Sequence, residues 1–240
     1  MTYIYRNFFI GLFALIICCF PFDQVEASSY YPLQTKYPDT MMYKVETQEK
    51  VIALTFDDAP DEIYTPRILD VLEKHDVKAT FFVLGARVEK YPQMVKRINK
   101  EGHSIGNHTY WHPKLTETGV ANMVWEIDKN EKAIQSVLDL ETDLFRAPYG
   151  ALTEDMVKKL RELDYRGIGW SIDSEDWKGI SKNEIKSRVI NGLHPGSIVL
   201  MHAAGNVPGT EQALDELIPY LQKEGYYFAT VPDLWKMAYK

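Results

Sequence analysis

The chain has 240 residues, of which 45% are hydrophobic and 25% are charged, as in an ordinary soluble globular protein. Its formal net charge of −7 argues against nucleic acid as a partner, because surfaces that bind nucleic acid are basic. Both cysteines, Cys18 and Cys19, lie near the N-terminus, so the rest of the chain has no thiol for a disulfide, a metal or a nucleophilic attack.

The first 27 residues have the layout of a secretory signal peptide. Arg6 precedes an uncharged apolar run over residues 8–22, and Ala27 ends a sequence of the kind that precedes signal cleavage. At about 15 residues this run is shorter than the roughly 20 that a membrane-spanning helix needs. We therefore expect residues 1–27 to be removed and the rest to be secreted or associated with the cell wall. An uncleaved leader that anchors the protein to the membrane is the alternative.

The remainder of the chain alternates short apolar segments with longer amphipathic ones. Residues 28–50 are polar without periodicity, and we expect them to form an N-terminal extension on the surface. The predicted strands are 51–56, 79–84, 104–106, 143–146, 167–172, 197–201 and 227–231. The predicted helices are 63–75, 92–101, 117–138, 181–193 and 211–224, and a Ser181–Glu184 capping box begins the fourth of them.

This alternation of strands and helices predicts parallel strands joined by right-handed crossovers. About seven such units fit either a (β/α) barrel or an open doubly wound sheet. No glycine-rich phosphate-binding loop follows the first strand, which makes a nucleotide-binding open sheet the less favoured of the two. We therefore predict an α/β fold in which residues 51–240 form a distorted (β/α) barrel with about seven parallel strands.

Polar residues follow five of the predicted strands at the point where each strand ends. They are Asp57 and Asp58, His108 and His112, Arg146, Asp173 and Asp176, and His202. In a (β/α) barrel the C-terminal ends of the strands meet on one face, which is where active sites form. The sequence therefore predicts that these side chains lie together in an active site.

Two histidines and an aspartate pair in this group indicate a metal site. The spacing of His108 and His112 places both imidazoles on one side of a helical turn, close enough to bind one ion. The adjacent carboxylates of Asp57 and Asp58 repel each other unless a cation compensates them. Two histidines and one carboxylate are typical of catalytic zinc, whereas softer ions such as Cu(I) require thiols. The alternative interpretation is a set of solvated surface histidines and loop acids.

Five short motifs carry a resemblance to a known family. They are Thr55-Phe56-Asp57-Asp58, His108-Thr-x-x-His112-Pro, Arg146-x-Pro148-Tyr149-Gly150, Asp173-Ser-x-Asp176-Trp177 and Leu200-x-His202. In this order they resemble the motifs of the polysaccharide deacetylases, the NodB-homology domain of carbohydrate esterase family four. The resemblance extends from Val51 to the C-terminus. Each motif is modest by itself, but the ordered set is highly specific.

The resemblance implies a role for each matching residue. It implies that Asp58, His108 and His112 bind a divalent metal, with Zn²⁺ expected first and Co²⁺ or Ni²⁺ as further candidates. It implies that Asp57 is the general base and His202 the general acid. The base is oriented by Arg146, and the acid is tuned by Asp176.

The resemblance further implies that the backbone N–H of Tyr149 binds the oxyanion and that Trp177 and Leu200 form the pocket for the acetyl methyl group. The chain departs from the usual family pattern at two positions. Ala59 follows the aspartate pair where glycine is common, and Ala203 follows His202 where aspartate is common. Neither change removes a catalytic group. Both could alter the substrate groove, so the motifs do not identify the preferred sugar.

We therefore expect a secreted, metal-dependent hydrolase that removes N-acetyl groups from glycans containing N-acetylglucosamine or N-acetylmuramic acid, such as peptidoglycan or chitooligosaccharides. In this mechanism Asp57 and His202 transfer protons to and from a water molecule activated by the metal. The alternatives are an O-deacetylase of acetylated xylan, a deacylase of other amides, and a catalytically silent glycan-binding domain. The expected partner is the glycan substrate, without nucleic acid or stable membrane insertion, and we expect a monomer.

Overall fold

A computed structural model describes residues 31–239, so the predicted signal peptide at residues 1–27 lies outside the described residues. The strands are β1 Met41–Met42, β2 Val51–Ala59, β3 Thr80–Val83, β4 Ser104–Asn107, β5 Leu144–Phe145, β6 Arg166–Ile168, β7 Ile172–Asp173, β8 Ser197–His202 and β9 Tyr227–Phe228. The helices are α1 Pro32–Lys36, α2 Tyr64–Lys74, α3 Gly85–Lys90, α4 Pro92–Lys100, α5 Leu115–Thr118, α6 Val120–Val137, α7 Glu154–Glu162, α8 Lys182–Gly192, α9 Thr210–Lys223 and α10 Val231–Ala238. Two short 3₁₀ turns, Pro148–Gly150 and Asp176–Lys178, complete the described elements.

The strands form one curled sheet with the order β1-β6-β5-β4-β3-β2-β8-β7, and β9 pairs with the start of β2. Every pairing between these strands is parallel. Only three residues, 169–171, separate β6 near one end of this order from β7 at the other end. The sheet therefore curls into an incomplete barrel with helices around it, which confirms the predicted α/β class.

The central strand β2 shows how the barrel packs on both of its faces. Successive side chains of a strand point in opposite directions. Ile52 and Leu54 accordingly belong to the apolar cluster beneath the surrounding helices, whereas Val51 and Ala53 belong to a separate cluster with Phe82. Because both faces are covered, the first six residues of β2 are nearly all apolar, and the aspartate pair follows them near the end of the strand.

The predicted strand 167–172 is wrong, because the chain forms two strands there. The N–H of Gly169 donates to the carbonyl of Met42, whereas the N–H of Ser171 donates to the carbonyl of Ile198. The two strands therefore pair with different neighbours, β6 with β5 and β1, and β7 with β8. The chain crosses here from one end of the curled sheet to the other, which a single regular strand cannot do.

The expected surface position of residues 28–50 is also wrong for the part around β1. Met41, Met42 and Val45 are buried, and β1 pairs with β6 at the edge of the sheet. Gly167 in β6 leaves the space for this strand, because a Cβ atom there would lie 2.3 Å from the sulfur of Met41. A two-residue strand is too short to show alternation in sequence, so this strand has no counterpart among the predictions.

The longer helices agree with the predictions to within a residue or two for α2, α4, α8 and α9, and the Ser181–Glu184 capping box is present. The predicted helix 117–138 is divided, because Gly119 has a φ of 86° between α5 and α6. Helices α1, α3, α7 and α10 were not predicted. No helix within residues 31–239 is long and apolar enough to cross a membrane.

Candidate active site

Side chains at the C-terminal ends of the strands meet in one cleft of about 440 Å³. Its lining includes eight predicted site residues, namely Asp57, Asp58, His108, His112, Tyr149, Trp177, Leu200 and His202. Asp173, from the end of β7, lines the same cleft. The other two predicted site residues, Arg146 and Asp176, are fully buried behind the cleft and contact Asp57 and His202.

Asp58, His108 and His112 lie close enough together to hold one metal ion. Their donor atoms lie within 4.8 Å of one another. Oδ1 of Asp58 is 3.7 Å from Nε2 of His108 and 3.5 Å from Nε2 of His112. This oxygen is buried and has no hydrogen-bond partner in the described part of the chain. A buried carboxylate oxygen without a partner is costly, and a cation between it and the two nitrogens would remove that cost.

The two histidines converge through a loop, and the predicted helical turn between them is wrong. Thr109 and His112 have φ values of 69° and 62°, which lie outside the helical region. The N–H of His112 donates to Oγ1 of Thr109 at 3.0 Å. Nδ1 of His108 lies 2.7 Å from the carbonyl oxygen of Arg146. A carbonyl only accepts, so Nδ1 of His108 carries the proton and Nε2 remains free to bind a metal.

The loop 108–112 is held from beneath by a carboxylate on α6 that the sequence analysis missed. Glu126 is only 3% exposed, and its Oε2 accepts the N–H groups of both Tyr110 and Trp111 at 2.8 Å. Oδ1 of Asn107 accepts the N–H of Thr109 at 2.9 Å, next to the same turn. These bonds satisfy the backbone in a conformation that neither a helix nor a strand provides.

A second polar residue of α6, Asn130, supports the same loop. Its Nδ2 donates to Oδ1 of Asn107 at 3.0 Å and to the carbonyl of Val83 at 2.8 Å. Glu126 and Asn130 are buried on the same side of α6 as Met123, Ile127 and Ile134. The sequence does carry a signal for this support, because Glu126 and Asn130 are polar residues within an apolar stripe. A buried carboxylate requires a partner, so such a residue indicates a buried hydrogen-bonding role.

We expect Glu126→Gln to lower zinc affinity by about 10–100-fold, the usual effect of changing a group that supports metal ligands. The amide keeps the shape of the side chain but loses the charge that binds the two N–H groups. Zinc affinity is measured by competition with a chromogenic chelator. The matched control is Asp128→Asn on the same helix, because Asp128 is exposed and bonds to Lys132 rather than to the loop. Equal zinc affinity in both variants would contradict a supporting role for Glu126.

Asp57 is buried against the guanidinium of Arg146, which is itself fully buried. Nη1 of Arg146 donates to Oδ1 of Asp57 and to Oγ1 of Thr55, both at 2.8 Å. Its Nε and Nη2 donate to the carbonyls of Ile168 and Gly169. These contacts fix Arg146, and with it Oδ1 of Asp57, while Oδ2 of Asp57 lies 3.6 Å from Nε2 of His108.

The surroundings of Asp57 keep its carboxyl group ionised. Burial by itself raises the pKa of Asp57, but the positive charge of Arg146, followed by His108 and His202, lowers it below the ordinary value. Asp57 is therefore an anion at neutral pH, with Oδ1 held by Arg146. A carboxylate anion at the wall of a cleft can accept a proton from a water molecule there.

His202 is held by a buried carboxylate that bonds to it twice. Oδ1 of Asp176 lies 2.8 Å from Nδ1 of His202, and Oδ2 accepts the backbone N–H of His202 at 2.9 Å. Oδ2 also accepts the hydroxyl of Thr210 at 2.8 Å, a supporting contact that the sequence analysis did not identify. Burial alone lowers the pKa of His202, but the hydrogen bond and charge of Asp176, with smaller effects of Asp57 and Asp58, raise it to about 9.

We expect Asp176→Asn to move the alkaline limb of the pH–activity profile to lower pH. His202 is the predicted general acid and would have to be protonated to act, so a pKa of about 9 would extend activity into alkaline solution. Asparagine removes the charge that raises this pKa and leaves the burial that lowers it. A divalent cation would offset the effects of Asp57 and Asp58 but not the hydrogen bond to Asp176, so the direction holds for the loaded enzyme. An unchanged alkaline limb of kcat/KM would contradict this prediction.

The remaining predicted residues form the rim and wall of the cleft. The exposed ring of Tyr149 packs against the His112 ring at 4.7 Å, and Tyr149 has a φ of 60° within a 3₁₀ turn. Trp177 is exposed, whereas Leu200 is buried. Trp170 also lines the cleft, and it was not among the predicted site residues.

The two departures from the family pattern are accommodated without strain. Ala59 is not among the residues with positive φ, so its backbone does not require glycine. Ala203 is buried, its N–H donates to the carbonyl of Asp57 at 3.0 Å, and its carbonyl accepts the hydroxyl of Thr65 at 2.8 Å. These bonds use only the backbone of Ala203, and they connect β8 and α2 to the strand that carries the aspartate pair.

A curled parallel sheet carries a His₂Asp cluster, a buried Asp–Arg pair and a third histidine at its strand ends, a set that can support metal-assisted hydrolysis. The profile of the polysaccharide deacetylase family matches residues 44–168. The chain is 42% identical over 187 residues to a peptidoglycan-N-acetylglucosamine deacetylase of Bacillus cereus, which covers 77% of this chain and 68% of that protein. The chain therefore belongs to the polysaccharide deacetylase family, and it is an enzyme of that class.

Other relatives are similar over most of the described residues. The peptidoglycan-N-acetylmuramic acid deacetylase PdaA of Bacillus subtilis is 38% identical over 196 residues, which cover 80% of this chain and 74% of that protein. PgdA of Listeria monocytogenes, a peptidoglycan-N-acetylglucosamine deacetylase, is 38% identical over 206 residues, or 86% of this chain, but these cover only 42% of PgdA.

Solved structures have the same fold. The Bc1960 peptidoglycan N-acetylglucosamine deacetylase superposes with a TM-score of 0.79 at 40% identity, covering 81% of this chain and 92% of that one. A family 4 carbohydrate esterase pseudoenzyme of Bacillus anthracis superposes with a TM-score of 0.76 at 32% identity, covering 81% and 68%. This fold therefore occurs in both active and inactive members of the family.

Proposed function

We propose that this polysaccharide deacetylase removes N-acetyl groups from peptidoglycan by metal-assisted amide hydrolysis. The observation that carries the proposal is the meeting of Asp58, His108 and His112 in one cleft with Asp57 and His202. The similarity to deacetylases named for N-acetylglucosamine or N-acetylmuramic acid in peptidoglycan supports the choice of polymer. Either sugar fits this proposal.

Asp58, His108 and His112 would hold the cation, through one carboxylate oxygen and two Nε2 atoms. Nitrogen and oxygen donors suit Zn²⁺ first, and also Co²⁺ and Ni²⁺. Such a cation supplies Lewis acidity, which lowers the pKa of water from 15.7 to about 7 and polarises a carbonyl group. The hydrogen bond between Nδ1 of His108 and the carbonyl of Arg146 orients that imidazole for the ion.

The proton transfers belong to Asp57 and His202. Asp57 is held as an anion by Arg146, so it can take the proton of the attacking water. His202 carries a proton on Nδ1 that bonds to Asp176, and its Nε2 would protonate the departing amine. Each transfer contributes about 10²–10⁴-fold to the rate.

Three further residues would act on the acetyl group. The backbone N–H of Tyr149 would donate to the oxyanion that forms on the amide carbonyl. The buried side chain of Leu200 and the exposed ring of Trp177, both in the lining of the cleft, would surround the acetyl methyl group. A small apolar pocket of this kind favours acetyl over longer acyl groups.

A catalytically silent glycan-binding protein is the second candidate, since the pseudoenzyme of Bacillus anthracis has the same fold. The chemistry requires two aspartates and three histidines, and all five line one cleft. This arrangement favours the active enzyme. O-deacetylation of acetylated xylan would use the same aspartates and histidines, so only an activity assay distinguishes it from N-deacetylation of peptidoglycan.

We further propose that residues 1–27 are a signal peptide and that the protein acts as a monomer at the cell wall. Mass spectrometry of the secreted protein should find a new N-terminus near Ser28. A protein that retains Met1 and sediments with membranes would indicate the anchored alternative.

The test of the activity is release of acetate. Purified protein with added Zn²⁺ or Co²⁺ is incubated with peptidoglycan fragments, chitooligosaccharides and acetylated xylan, with the Asp57→Asn variant as the matched control. We expect acetate from peptidoglycan fragments with the parent protein and only a trace with the variant. Acetate from xylan alone would assign the O-deacetylase, and no acetate from any substrate would favour the silent domain.

A further inference from the structure

A second groove lies on the outside of the loop that carries the predicted metal ligands. It has a volume of about 610 Å³, against about 440 Å³ for the cleft, and both lie within the range of ligand sites. Its lining includes Arg87, Glu89 and Lys90 of α3, Tyr91, and Tyr110 and Trp111 of the loop. Because Trp111 directly precedes His112, the groove begins one residue away from the cleft.

The helix and the loop that form this groove are joined by their backbones. The N–H of Gly85 donates to the carbonyl of Thr109, and the N–H of Ala86 donates to the carbonyl of Tyr110, both at 3.2 Å. This approach requires glycine, because a Cβ atom at Gly85 would lie 2.3 Å from the ring of Tyr110. The groove is therefore built onto the metal-binding loop.

Aromatic rings are displayed beside the groove. The side chains of Trp111 and Trp125 are 61% and 48% exposed. Together with Tyr110 they surround the ammonium of Lys129, which lies 3.8 Å from the Tyr110 ring centre, 4.8 Å from that of Trp125 and 5.2 Å from that of Trp111. Cation–π contacts hold the three rings in place, and the two tryptophan rings remain exposed while Tyr110 is buried. Exposed, fixed aromatic rings mark a binding surface, and their faces suit the apolar face of a sugar ring.

The groove also carries positive charge that is not paired. Arg87 and Lys90 in the groove lining, and Lys129 beside it, form no ion pair within residues 31–239, in a chain whose net charge is −7. The acid in the groove lining, Glu89, accepts the hydroxyl of Tyr110 at 2.7 Å. An unpaired basic groove on an acidic protein favours a ligand that carries carboxylates.

We propose that this groove is a second glycan subsite, which binds an acidic segment of the polymer at a distance from the sugar that reacts. A sugar ring would stack on Trp111, and peptide carboxylates attached to the glycan would face Arg87 and Lys90. The choice of a glycan as the occupant rests on the proposed function. The glycan chain whose acetylated sugar lies in the cleft would continue over Trp111 into the groove.

The test measures binding of the Asp57→Asn protein to insoluble peptidoglycan by co-sedimentation, so the polymer stays intact. Adding Arg87→Glu and Lys90→Glu should raise the apparent Kd about 10-fold or more, and high salt should remove most of this difference. The matched control is Lys78→Glu with Lys223→Glu, because these lysines are also exposed and unpaired but lie before β3 and β9, at the opposite end of the strands. Equal weakening in both pairs, or no weakening in either, would overturn the proposal.

A second variant and a second polymer test the two halves of the proposal. Trp111→Ala should also weaken binding, with unchanged zinc affinity as the check that the loop is intact. Peptidoglycan with amidated carboxyl groups should bind weakly and respond little to the charge reversal at Arg87 and Lys90. Tight binding of the amidated polymer would contradict the proposal that the groove binds carboxylates. Because binding is measured on an inactive variant, absence of acetate release in the activity assay leaves this test unaffected.

Discussion

Replacement of Asp57 by asparagine should lower the rate of acetate release by about 10²–10⁴-fold while zinc remains bound. Asparagine has nearly the same shape, and its amide oxygen can still accept the hydrogen bond from Nη1 of Arg146. It cannot take a proton from water at neutral pH, so the loss is in the proton transfer. Zinc stays because Oδ1 of Asp58 and the two imidazoles are unchanged.

The measurement pairs steady-state acetate release with zinc content after gel filtration. The control is Asp70→Asn, which removes an exposed carboxylate that bonds to Arg97 and does not line the cleft. Asp57→Asn should also lower the free energy of unfolding, because Arg146 then has no buried anion. The loss should be smaller than the about 3–5 kcal/mol for a broken buried pair, because the hydrogen bond survives.

Replacement of Asp58 by asparagine should remove the metal and, with it, the activity. This change takes away the carboxylate oxygen that faces both imidazoles and leaves the backbone unaltered. Groups that only support metal ligands contribute about 10–100-fold to affinity, so loss of a ligand itself should cost at least about 100-fold. Competition with a chromogenic chelator gives the affinity directly.

Asparagine is the sharper choice at this position because Asp58 has a φ of 64°. Asparagine tolerates the left-handed region, whereas alanine there costs roughly 1–2 kcal/mol of backbone strain. Asp58→Ala should therefore lose metal to a similar extent and be less stable in addition. If instead Asp57→Asn released zinc and Asp58→Asn retained it, the roles of base and ligand would have to be exchanged.

Much of the site was predictable because its residues lie at the C-terminal ends of strands. Parallel strands of a curled sheet bring their C-terminal ends together, so Asp57, His108 and His202 were expected to meet. Predictions of local conformation failed where groups from elsewhere in the chain determine the backbone conformation. The loop from His108 to His112 is not helical, because Glu126 and Asn107 satisfy its N–H groups in another conformation. A spacing of four residues cannot distinguish these two conformations.

The sequence alone determined the family, most of the longer strands and helices, and the residues that we propose carry the chemistry, because these properties depend on residue type and local spacing. The tertiary structure decided the division of residues 167–172 between two strands and the burial of β1, since both depend on how the sheet curls. It also decided which buried groups hold the site. Glu126 and Thr210 lie far along the chain from the residues they support, and only folding brings them within hydrogen-bonding distance.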